Sequence, residues 1–183
     1  MSQALYLRKY IRIPFGEEII VEDQEGHLKG TIHNISIKGI LINGLKRDPV
    51  DQYLWALIKI KKMRMLNALT RENLIHLQSE KNLGKIFKTK IDIVRRNPQL
   101  ISDASYYQIA GTFTEEEEEM KSYLSDYINN YTFNIVHLIK LLQKKKISEE
   151  EKSFILILSK ILDRREKNLL ELRENVLRDF QNI

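Results

Sequence analysis

The chain has 183 residues, 43% hydrophobic and 30% charged, with a formal net charge of +5. That suits one soluble domain with a full core, or a small domain with an extension. It contains no cysteine, which excludes a disulfide framework, thiolate metal sites and cysteine nucleophiles and fits a reducing cytosol. The first nine residues lack an apolar core of signal-peptide length, and apolar runs such as residues 154–158 are far too short to span a bilayer, so a cytoplasmic protein is expected.

Taken in chain order, residues 17–23 read as a strand containing Ile19, Ile20 and Val21, with a turn at Gln24-Glu25-Gly26. Residues 28–35 alternate around Ile32, and residues 39–42 are β-branched and apolar. The stretch 51–82 is open between a strand at 55–60 and a helix beginning after Asp51, with a further helix start at Thr70. Residues 85–95 alternate again, and residues 106–113 supply another strand after a turn at Asn97-Pro98. All seven glycines and all three prolines lie at or before Gly111, so the rest of the chain should be helical. Thr114 is the expected N-cap of a helix that opens with five glutamates and runs to about Tyr127. A second helix is expected over 132–145. A third should begin at Ser148, with Glu151 completing a capping box, and continue to Phe180.

Charge divides at the same place. Residues 1–114 carry a net +7 and residues 115–183 a net −2, so an anionic ligand would be expected on the first part. Two short motifs lie there. Arg8-Lys9-Tyr10-Ile11-Arg12 is an Arg-x-x-x-Arg, and Asn34-Ile35-Ser36-Ile37-Lys38-Gly39 is an Asn-x-Ser-x-x-Gly between two predicted strands. In a chain with eleven arginines the first is weak alone; the second is the more specific, and the pair in this order is stronger than either. His27, His33, His76 and His137 show no metal-ligand spacing. There is no phosphate-cradling glycine loop and no nucleophile elbow, so neither an enzyme nor a bound cofactor is expected.

In these motifs the sequence resembles the PilZ domain family, with Arg8 and Arg12 matching its first motif and Asn34, Ser36 and Gly39 its second. Gly111-Thr112-Phe113-Thr114-Glu115 looks like the junction between the family's last strand and an acidic helix. The resemblance covers residues 5–129, poorly over 51–84. It implies an α+β chain: a small antiparallel six-stranded β-barrel over residues 1–129, then a helical extension over 130–183. It also implies a site for cyclic di-GMP at Arg8, Arg12, Asn34, Ser36 and Gly39, with Leu7, Lys9 and Gly111 as further contributors. Arginine forks suit phosphate and the acceptor edge of guanine. Asn34 would accept from guanine N–H groups, Ser36 would offer a hydroxyl, and Gly39 would give backbone that a ligand can approach.

On this reading the N-terminal arm, residues 1–13, closes over the nucleotide and passes the signal to an unidentified protein partner. Leu7, where an arginine could stack on a second guanine pair, argues for one nucleotide per protomer. The alternative is a degenerate adaptor that assembles through its helices without a ligand. Nonspecific nucleic-acid binding is disfavoured because the basic run 59–64 has no interleaved aromatics. The tail is expected to self-associate: Ile155, Leu158, Leu162, Leu169, Leu172 and Val176 form a heptad-like seam, interrupted at Arg165, on a helix of about 30 residues, longer than a small barrel is wide.

Overall fold

Successive residues of a strand face opposite sides of the sheet, so alternate positions of each barrel strand are buried. Glu18–Asp23, for example, turns Ile19, Val21 and Asp23 inward. The computed structural model describes residues 10–66, 73, 84–101, 104–115, 118–164, 166 and 168–181. The described strands are β1 (Ile13–Pro14), β2 (Glu18–Asp23), β3 (Gly26–Ser36), β4 (Gly39–Leu45), β5 (Tyr53–Lys61), β6 (Gly84–Ile101) and β7 (Ala104–Glu115), followed by helices α1 (Glu118–Leu142), α2 (Glu149–Ile161) and α3 (Leu169–Gln181).

The strand order is β1-β3-β2-β5-β6-β7-β4, and β4 pairs back with β3. Six strands therefore close into an antiparallel barrel, as the family resemblance implied, and closure removes the exposed edges an open sheet would have. The two-residue β1 is an addition. β2 pairs with the first half of β3, through Glu18↔Thr31, and β1 takes the second half, through Pro14↔Asn34 and Ile13↔Ile35. Gly16, at φ 66°, makes the bend between them, a conformation that costs glycine no side-chain clash. Its amide donates to Ile32 O at 2.8 Å.

The chain divides into two compact units, Met1–Ala56 with Thr89–Glu117, and Leu57–Lys88 with Glu118–Ile183. The first holds most of the barrel, around fully buried Ile32, Ile35, Ile42, Leu45 and Ile109. The expected boundary at 129/130 falls inside α1, which runs unbroken for 25 residues where two helices were expected.

In the second unit α1 is tied to an extended segment. Asn134, completely buried, accepts from Leu66 N at 2.8 Å and donates to Arg64 O at 2.8 Å. One turn earlier Asn130 donates to Met63 O at 3.0 Å. The two asparagines, four residues apart on one helix face, bond three backbone groups of that segment, of which the Leu66 amide is buried.

Other expectations need correction. Residues 53–61 form a strand, which resolves the first part of the ambiguous stretch; the helix start at Thr70 lies outside the described residues. Asn97-Pro98 makes no turn, because β6 continues through Pro98↔Tyr107. Ile93 N already donates to Gln52 O, just ahead of β5. Pro98 therefore lies where β6 has run past β5, an edge position that tolerates a missing N–H. Thr114 is not an N-cap: it lies in β7 and its hydroxyl donates to Lys90 O.

The expected long helix from Ser148 is two helices. Its start is as predicted, with the reciprocal capping box of Ser148 and Glu151. Its end comes at Leu162, where Asp163 adopts φ 57°. Asp163 N then donates to Lys160 O and Arg164 N to Ser159 O, the paired closure of a left-handed helix terminus. Aspartate tolerates that conformation better than most non-glycine residues, so a helix can stop without glycine or proline. The argument for self-association lapses with it. The tail helix is 13 residues, and Ile155, Leu158, Leu162, Leu172 and Val176 are buried within the chain itself.

Candidate functional site

The connection between β3 and β4 carries the second motif. Ser36 is buried, and its Oγ accepts from Gly39 N at 3.1 Å and Lys38 N at 3.4 Å while donating to Gly39 O at 3.3 Å. The hydroxyl thus holds the turn together from inside. Gly39 begins β4 opposite Thr112 of β7. A Cβ there would lie 2.6 Å from Gly111 O, and one on Gly111 would lie 2.3 Å from Ile91 Cγ2 and 2.9 Å from Asp92 O. The two glycines allow β4, β7 and β6 to approach closely, a use the sequence reading did not foresee.

Asn34 lies just before this turn. The register of β3 against β4 shifts between Ile32 and Asn34, so that Asn34 pairs with Leu41. Such a bulge re-aims the side chains beside it, and Asn34 is left half-buried on the barrel's outer surface. Arg12 is exposed and immediately precedes β1. Carrying the Ile13↔Ile35 register back by one residue sets Arg12 across from Ser36. The fold therefore brings together Arg12, Asn34, Ser36 and Gly39, residues separated by up to 27 positions. Leu7, Arg8 and Lys9 lie outside the described residues.

Two other arginines of this unit are committed to structure. Arg47 makes a two-pronged contact with Asp23, each arm 2.6 Å long. That contact, with the amides of Val50 and Glu25, holds the Asp23 carboxyl at about 2 against the opposing effect of burial. Arg96 meets Asp48 Oδ1 at 3.2 Å and Asp51 O at 2.7 Å. The aromatic–basic interleaving missing from residues 59–64 does occur across strands: Lys90 Nζ lies 5.0 Å from the Tyr53 ring centroid and 5.9 Å from that of Trp55. The lysine lies within cation–π reach of both rings. Among the described residues no group of three His, Asp or Glu could hold a metal ion, and no helix is long and apolar enough to cross a membrane.

No protein-family model and no curated protein matches the sequence. Solved structures do match the fold. Bacillus subtilis MotI/DgrA, described as an inhibitor of motility, aligns with a TM-score of 0.51 at 15% identity, over 69% of this chain and 52% of its own. The chain thus spans about half the length of that protein. The PilZ domain of YcgR from Escherichia coli, solved with c-di-GMP, gives 0.41 at 11% identity, over 67% of this chain and 89% of its own. K. pneumonia MrkH in its apo state gives 0.43 at 12% identity, over 66% and 49%. A closed six-stranded barrel with the Asn-x-Ser-x-x-Gly turn between β3 and β4, together with the likeness to MotI/DgrA, gives the domain a PilZ-like fold.

Proposed function

We propose that the chain is a receptor for cyclic di-GMP, acting by binding rather than by catalysis and signalling to a protein partner in the cytoplasm. The observation that carries this is the β1–β3 pairing, which sets the exposed Arg12 beside Asn34 and the Ser36–Gly39 turn. A guanidinium next to a neutral amide acceptor is the combination a phosphodiester and a guanine edge require. Arg8 on the arm would add a second cation, and Leu7 favours a single nucleotide per protomer. Arm ordering would be the switch by which binding reaches the partner.

A second reading has an observation of its own. Ser36 spends its hydroxyl on its own turn, and Gly39 faces β7, so the second motif serves the barrel whether or not a ligand binds. This favours a non-binding adaptor. Calorimetric titration of the full chain with cyclic di-GMP separates the two. The receptor reading expects saturable binding that Arg12→Ala weakens roughly tenfold or more, the loss of one charge-assisted contact. Absence of binding by the parent protein would leave the adaptor.

A further inference from the structure

We infer that Arg95, which belongs to neither sequence motif, is a further ligand-binding residue of this site, contacting the nucleotide from the far side of β7. The inference rests on the receptor reading above and extends it.

The argument begins with register. Asn34 of β3 pairs with Leu41 of β4, Leu41 pairs with Ala110 of β7, and Ala110 pairs with Arg95 of β6. Directly opposed residues in paired strands point to the same side of a sheet. The neighbours Ile40, Ile42, Ile109 and Ile93 are buried, which fixes that side as the barrel's exterior. Asn34, Leu41, Ala110 and Arg95 therefore form one outward row across four strands. The register shift between Ile93 and Arg95 is a bulge, a device that redirects a side chain, and Arg95 is left exposed.

The row has the chemistry of a shallow nucleotide bed. Three strand spacings separate its ends, about 14 Å, a span that suits a dinucleotide better than a single base. An amide stands at one end and a guanidinium at the other. Between them, half-exposed Leu41 and Ala110 offer a low apolar floor against which a base can lie flat. Arg95 is also available. Of the four described arginines in this unit, Arg47 is bound by Asp23 and Arg96 by Asp48, whereas Arg12 and Arg95 meet no acceptor among the described residues. Those two flank the row from opposite ends. An exposed arginine with no partner is commonly just a solvated charge; its place in register with Asn34 distinguishes this one.

The test is calorimetric titration of the full chain with cyclic di-GMP, and with GMP as the mononucleotide control. The proteins are the parent, Arg12→Ala, Arg95→Ala, Arg95→Lys and Lys29→Ala. Lys29 is an exposed β3 residue facing Ile20 of β2, so its removal changes the net charge equally at a distance from the row. Arg95→Ala should weaken cyclic di-GMP binding roughly tenfold or more with unchanged thermal unfolding, because no described contact is lost. Arg95→Lys should recover part of the affinity, as a point charge replaces a fork. Lys29→Ala should bind like the parent, and GMP should bind more weakly than the dinucleotide. If Arg12→Ala loses binding while Arg95→Ala keeps it, the receptor reading stands and the role of Arg95 is wrong. Equal losses in Arg95→Ala and Lys29→Ala would reduce Arg95 to bulk charge and also overturn it. A parent protein that does not bind would overturn both.

Discussion

Gly39→Ala discriminates between a glycine kept for a ligand and a glycine kept for the barrel. The added methyl would lie 2.6 Å from Gly111 O, well inside the ~3.5 Å at which nonbonded carbon contacts become favourable. Neither strand can easily give way. Gly39↔Thr112 and Ile40↔Gly111 are successive rungs of one ladder, and Gly111 itself is seated against Ile91 and Asp92. Overpacking against side chains costs ~1–3 kcal/mol; with backbone as the obstacle, Gly39→Ala belongs at the upper end, about 3 kcal/mol. Ser36→Ala is the milder companion, because it removes only the hydroxyl that bonds Gly39 and Lys38, for about 1 kcal/mol. Urea unfolding followed by the fluorescence of Trp55, the single tryptophan and a residue of β5, reads both. The midpoint should fall from parent to Ser36→Ala to Gly39→Ala with an unchanged slope. A Gly39→Ala protein as stable as the parent would refute the steric argument; if it had also lost nucleotide binding, the glycine would belong to the ligand.

Two further outcomes test the structural supports. Asn134→Ala strands the buried Leu66 amide and removes the bond to Arg64 O, which should cost ~2–3 kcal/mol in urea unfolding followed by helical circular dichroism, against about 1 kcal/mol for Asn130→Ala; equal effects would contradict the asymmetry of burial. Asp23 is held at about 2 from an ordinary 3.8, first by the Arg47 hydrogen bonds. Because its folded value is depressed, its contribution is fully present above 3.8 and is lost as pH falls toward 2. Asp23→Asn should therefore be less stable than the parent near neutrality, with the gap closing across that acid window; a gap independent of pH would show that the charge is not what matters.

The sequence by itself determined β2, β3, β4, β7 and the first part of β6, the helical character of the chain's last third, the capping box at Ser148 and the turn that carries Asn34, Ser36 and Gly39. These are local properties: a period of two, a shortage of turn residues, a side chain bonding its own backbone. Tertiary structure decided the rest, because it depends on which distant segments meet. One uninterrupted α1 replaced two expected helices. Asp163 ended α2 without glycine or proline, and that break removed the case for a long associating helix. Gly39 faces β7 because the barrel closes there. Arg95 carried no motif, and nothing local in the sequence could have found it. Only the registers of β3, β4, β7 and β6 set it in line with Asn34, 61 positions away along the chain. Register arises from long-range pairing and bulges, and neither leaves a period that composition or spacing can reveal.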